Sequence, residues 1–190
     1  VAMFSNVNQA QVLRGPIATQ LLRQFLTPVN WGELDYLLID LPPGTGDIHL
    51  SLAQMAPLSG AVLVTTPQEM SIIDVRKAVS MFKTLNVPML GIVENMSYFI
   101  CDSCDKKHYI FRKGGGARLA AELGMPLLAE IPLDPRVVET SDEGKAVMVQ
   151  MPSSDAAHAF VKVAKTISDA LALQQKSGDG GLGYFLLEWK

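Results

Sequence analysis

The chain has 190 residues, 48% of them hydrophobic and 18% charged, with a formal net charge of −3. That length and composition suit one globular domain with a substantial core and exclude a disordered chain. The acids and bases are interspersed, without the basic stripe of a general nucleic-acid binder, and no apolar run approaches the roughly 20 residues that span a bilayer.

In chain order, Val1-Ala2-Met3-Phe4-Ser5 has no basic n-region, so no signal peptide is expected. The reading is a cytoplasmic protein, or an organelle-matrix protein if a transit peptide has been lost. Ile17, Leu21, Leu22 and Phe25 fall at helical spacing. Tyr36–Leu41 reads as a buried strand that ends in Asp40 and runs into Pro42-Pro43-Gly44-Thr45-Gly46. In parallel α/β folds, ligands sit just beyond the carboxyl ends of strands. An Asp there can hold Mg²⁺ through water, and a glycine amide can approach a phosphate closely. The plain alternative is a buried strand with an ordinary Pro/Gly turn. Asp47 either positions water or caps a helix beginning at Ile48, and the cap is the reading taken.

Ala61–Thr66, Met89–Glu94 and Leu127–Pro132 complete four strand-like runs. Between them Ile72, Val75, Val79 and Phe82 make one helical stripe. Leu119, Ala120 and Leu123 make a short one that Gly124 and Pro126 end. A last helix begins near Pro152 and Ser153, with Ala157, Phe160, Val161, Ala164, Ile167 and Leu171 as its apolar face. Alternating strands and helices imply an α/β parallel sheet. Residues 1–175 are expected to form this domain and 176–190 a flexible tail, from the run Ser177-Gly178-Asp179-Gly180-Gly181. His49 and His158 read as structural.

Asn95 follows a strand, where an amide can donate to and accept from a base edge at once, or simply shape a turn. Ser97–Ile100 and His108–Phe111 read as the arms of a small hairpin around Cys101-Asp102-Ser103-Cys104. Two cysteines in a C-x-x-C pair suit a reducing compartment and metal or redox work. Two thiolates can grip one metal, whereas a cubane or a tetrahedral zinc wants four ligands. A symmetric dimer would supply four thiolates. Zinc with His108 as third ligand, and a redox dithiol, are the other readings of the pair.

Several of these stretches, in order, resemble the Mrp-type iron–sulfur cluster carrier ATPases, relatives of MinD and of nitrogenase iron protein. Asp35–Asp47 resembles their Walker B/switch II segment. Arg14-Gly15-Pro16, Val93-Glu94-Asn95-Met96-Ser97, the C-x-x-C pair and Ile131-Pro132-Leu133-Asp134 continue the likeness over about residues 12 to 170. The resemblance implies a parallel-sheet P-loop NTPase-type fold with a Cys-bearing hairpin. It implies that Asp40 holds the Mg²⁺ shell of ATP and that Gly44 offers its amide near the γ-phosphate. Asn95 would recognise adenine, with Pro132, Leu133 and Asp134 as a second wall. Cys101 and Cys104 would bind a [4Fe–4S] cluster bridging a homodimer, for transfer to apo iron–sulfur client proteins. No nucleic-acid or membrane partner is expected.

One departure stands out. The family's GKGGVGKS/T loop does not occur here. Lys113-Gly114-Gly115-Gly116 lacks the Lys-Ser/Thr pair that should follow, and Gly144-Lys145 is followed by Ala146. The chain is therefore expected to correspond to the C-terminal two-thirds of such a protein; the resemblance implies cluster transfer coupled to ATP binding and hydrolysis in the complete protein, with negligible hydrolysis by this chain alone. The alternatives are a non-catalytic dimeric module holding zinc or a cluster, and a MinD/ParA-like positioning ATPase. The latter usually carries a C-terminal amphipathic helix, which the acidic, Gly-rich tail does not resemble.

Overall fold

The computed structural model describes residues 15–42 and 44–177, which form two compact units, 15–57 and 58–177. Arg14, Pro43 and the tail from residue 178 lie outside the described residues.

In the first unit, helix α1 (Gly15–Leu26) packs on helix α2 (Asp47–Met55). The hydroxyls of Thr19 and Ser51 lie 3.4 Å apart and Leu52 is fully buried. The run Tyr36–Leu41, expected as a buried strand, is not one: it has no ladder partner among the described residues, and Leu38 is 87% exposed. Strand structure comes from paired backbone groups, so apolar composition alone does not produce it.

The second unit is built on a three-stranded parallel sheet in the order β1-β2-β5: β1 (Ala61–Thr65), β2 (Met89–Glu94) and β5 (Leu127–Glu130). Strand β2 is central and buried from Leu90 to Glu94, as a strand covered on both faces should be. Helices α3 (Glu69–Thr84) and α4 (Gly115–Leu123) pack on β1 and β2. Helix α7 (Asp155–Ser177) lies on β5 and β2, where Val93, Leu128 and Ile131 meet Phe160, Val163 and Ile167. A two-stranded antiparallel hairpin, β3 (Phe99–Ile100) and β4 (Lys107–His108), leaves the sheet after β2 and returns at α4. The sequence assigned this hairpin longer arms.

Two helices had no forecast: α5 (Pro135–Asp142) and the single turn α6 (Val147–Gln150). Helix α7 starts at Asp155, where Ser154 Oγ accepts from Ala157 N at 3.1 Å, a cap slightly later than expected. Strand β5 stops at Glu130, before the Ile131-Pro132 end forecast for it. Ile131 still bonds to the end of β2, but Pro132 has no N–H with which to continue a ladder.

Candidate functional site

Because β1, β2 and β5 run parallel, their carboxyl ends share one edge of the sheet, the edge where α/β folds bind ligands. Asn95 and the Ile131–Asp134 segment both lie there. Asn95 N donates to Thr65 O at 2.7 Å, Ile131 N to Glu94 O at 2.8 Å, and Ser97 N to Ile131 O at 2.9 Å. Asn95 Oδ1 accepts from Met96 N, which tightens a turn with Met96 in the left-handed region, φ 52°. The Asn95 side-chain nitrogen Nδ2 makes no hydrogen bond among the described residues. Leu133 N donates to Tyr98 O at 2.7 Å, while the carbonyls of Pro132 and Leu133 accept nothing from the described backbone. Asp134 caps α5: its Oδ1 accepts from Arg136 N, and its carboxylate forms a bidentate pair with the Arg136 guanidinium at 2.8 and 2.7 Å. The Arg136 guanidinium holds the Asp134 carboxyl below the usual carboxylate range.

Glu94 organises this edge, and sequence reasoning passed over it. It is fully buried, accepting from Ser97 Oγ on one carboxylate oxygen and from Gly116 N on the other. These bonds join the start and the end of the hairpin excursion. They also explain Lys113-Gly114-Gly115-Gly116. Gly114 is the left-handed N-cap of α4, at φ 69°. A Cβ on Gly115 would lie 2.4 Å from Pro67 O, and one on Gly116 would lie 2.9 Å from Glu94 Cβ. The glycines let the helix start sit against the sheet, and the Glu94 carboxylate takes the Gly116 amide that a phosphate cradle would need. The available signal was an acid ending an apolar strand together with a triple glycine.

The hairpin register pairs Phe99 with His108 and Ile100 with Lys107. Directly opposed residues share a face and successive ones alternate. Phe99, Cys101 and His108 therefore belong to one face. Tyr98, Lys107 and Tyr109 belong to the other, where the Lys107 ammonium lies 3.8 Å from the Tyr98 ring centre and the Tyr98 and Tyr109 rings meet edge to face. At the tip, Cys104 N and Asp105 N both donate to Cys101 O, and Asp105 turns the chain with φ 54°. One thiol thereby comes beside the other. The ligand atoms of Cys101, Cys104 and His108 all lie within 4.8 Å of one another, and both thiols are free. The Ser103 amide, followed by the Cys104 thiol and amide, donates toward Cys101 Sγ and holds that thiol below its ordinary range; Asp102 opposes the shift. A pocket of about 170 Å³ between the hairpin and the turn into α5 is lined by Ile100, Asp102, Asp105, Leu133 and Arg136, among others. It is smaller than the roughly 300 Å³ at which small-molecule pockets begin.

Asp40 and Gly44 belong to the first unit. Asp40 is exposed, and Gly44 has φ 102° with nothing within 4 Å of a built Cβ, a backbone open to close approach. Asp47 is not an N-cap. Gly46 holds that position without a side-chain bond, and Asp47 is the first residue of α2, where its charge still suits the helix dipole. His49 is buried in α2, and its Nδ1 meets no partner among the described residues.

The family model described as ParA, NUBPL iron-transfer P-loop NTPase, matches residues 1–168. The chain is 49% identical over 160 residues to the iron-sulfur cluster carrier protein of Aquifex aeolicus, covering 84% of this chain and 44% of that protein. It is 48% identical over 157 residues to the iron-sulfur cluster carrier protein of Methanocaldococcus jannaschii, covering 82% and 53%. The chain thus spans about half the length of these relatives. Among solved structures it resembles a nucleotide-binding protein from Archaeoglobus fulgidus in complex with ADP, at 44% identity and TM-score 0.64 over 74% of this chain and 56% of that one. It also resembles the cell division ATPase MinD of Pyrococcus furiosus, at 26% identity and TM-score 0.59 over 82% and 59%.

Proposed function

The chain belongs to the ParA family of NUBPL-type iron-transfer P-loop NTPases and has their α/β fold, and from that premise we propose that it carries an iron–sulfur cluster and hands it to apo client proteins. The observation that carries this reading is the hairpin: two free thiols side by side at the tip of a short excursion clamped at its base by Glu94. One chain offers two thiolates and a [4Fe–4S] cluster takes four, so the cargo bridges two copies of the chain. An exposed tip suits a cargo that must be released as well as held. The free thiols also suit the reducing cytoplasm.

ATP with Mg²⁺ is the second ligand of the reading. Once a P-loop segment joined to this chain holds the phosphates, Asp40 would order the metal's water shell and Gly44 would offer its amide to the γ-phosphate. Asn95 reads adenine with its free amide nitrogen, beside the open carbonyls of Pro132 and Leu133. Asp134 acts through structure, capping α5 and holding that turn in place. Cargo and nucleotide would communicate through Glu94, which adjoins Asn95 and fixes both ends of the hairpin.

The test is anaerobic reconstitution with iron and sulfide, followed by transfer to an apo-ferredoxin. The expected result is about four irons per two chains, a dimer by mass, and activation of the acceptor. Cys101→Ala with Cys104→Ala should abolish all three. Cluster uptake by that double variant, or by a strictly monomeric species, rules the proposal out.

A further inference from the structure

We propose that Cys101, Cys104 and His108 form a mononuclear site for a thiophilic divalent cation such as Zn²⁺ within a single chain. The proposal rests on the hairpin's being the metal-binding end of the molecule, but it needs neither the dimer nor the cluster. Three observations carry it. The ladder Phe99↔His108 sets the imidazole on the same hairpin face as Cys101, diagonally across from it. The turn Cys104 N to Cys101 O folds the second thiol back onto the first. The three donor atoms then lie within 4.8 Å of one another. Around a tetrahedral ion with metal–sulfur bonds of about 2.3 Å and metal–nitrogen bonds of about 2.0 Å, donors stand roughly 3.5 to 3.8 Å apart. Closing the set therefore takes movements of about 1 Å or less. Cys104 and His108 are exposed, so no packed core resists that movement.

Three protein ligands leave one tetrahedral position for water or for a donor from another molecule, the open form of a zinc site. The donor chemistry, two thiolates and an imidazole, selects zinc-like ions over Mg²⁺ or Ca²⁺, which prefer oxygen. The site also separates two loading states by arithmetic. A cluster bridging two chains draws on four thiolates and leaves both imidazoles unused. A single ion on one chain needs His108 to reach three ligands. Ion binding and cluster assembly therefore compete for the same thiolates, and His108 favours the ion-bound single chain.

Cobalt titration of the reduced 190-residue chain under anaerobic conditions is the experiment. The expected result is thiolate-to-cobalt charge-transfer and tetrahedral ligand-field bands saturating at one ion per chain. Native mass spectrometry should find the ion on monomers, and Zn²⁺ should displace the cobalt. His108→Ala should keep the charge-transfer bands but bind at least about tenfold more weakly, since loss of even an outer-sphere partner costs that much. His108→Cys should restore affinity and add a third thiolate's intensity. A His108→Ala protein that titrates like the parent, or saturation at one ion per two chains, overturns the proposal. Failure of the cluster-carrier reading would look different: no cluster after iron and sulfide reconstitution, with the cobalt titration unchanged.

Discussion

Gly116 has no space for a side chain, because a Cβ there would lie 2.9 Å from Glu94 Cβ and 3.0 Å from Glu94 Oε2. Gly116→Ala must displace either the buried carboxylate or the start of α4, and overpacking of this kind costs about 1–3 kcal/mol. Urea unfolding should read this as a lower midpoint at unchanged slope; a parental midpoint would mean that the contact yields freely. Cys101 gives a second prediction at this scale. Its thiol is held low by donation from the Ser103 amide first of all, so alkylation of Cys101 should reach half-maximal rate below the roughly pH 8.5 of an unperturbed cysteine. Ser103→Pro removes that amide and should raise the midpoint. Since the folded value is the lower one, the bonds to the thiolate favour the folded tip above the unfolded thiol's range, and that contribution is lost as pH falls through the folded value. A midpoint at or above the free-cysteine value would contradict the donor geometry. Among these residues Cys101, Cys104 and Asn95 were legible as candidates from local pattern. Glu94 was not, because its burial is created by a glycine 22 positions later in the chain.

At the scale of elements, β1 and β2 were legible within a residue because continuous apolar runs bounded by turns leave little else for a doubly covered strand. The run at 36–41 carries the same signal and forms no strand, since pairing is a property of neighbours that composition does not contain. Helix α5 eluded the reading because its formation rests on Asp134 and Arg136 acting together at a Pro-started turn, and α6 is four residues long. The hairpin was legible as two arms flanking the cysteines, but its ladder covers two residues on each side and its tip is largely exposed. Segments with so few buried contacts open at low free-energy cost. Amides of residues 99–108 should therefore exchange faster than those of β2 in the metal-free protein, and should slow when Zn²⁺ or a cluster ties the two arms together. Equal and strong protection in both states would show a pre-formed tip, and the cysteines would then be better read as structural.

For the molecule as a whole, ATP turnover turns on where a triphosphate could be held. Phosphoryl transfer needs a backbone cradle and a lysine at the β- and γ-phosphates before a Mg²⁺-linked acid such as Asp40 has anything to organise. Nothing in these 190 residues reads GKGGVGKS/T. Lys113–Gly116, the Gly-rich run that opens a helix, has its Gly116 amide committed to the Glu94 carboxylate. A phosphate would have to displace a buried acid that already has its hydrogen-bond partners, and leaving a buried polar group unsatisfied costs about 1–3 kcal/mol. The 190-residue chain should therefore hydrolyse ATP no faster than a buffer control and bind it weakly. Joined to a segment that supplies the P-loop and its lysine, the same residues should hydrolyse ATP, and Asp40→Asn should then abolish turnover while sparing the fold. The readouts are phosphate release and calorimetric binding. Measurable turnover by residues 1–190 alone would overturn this reading, since it would require either a phosphate cradle elsewhere in the chain or Glu94 yielding its place to phosphate.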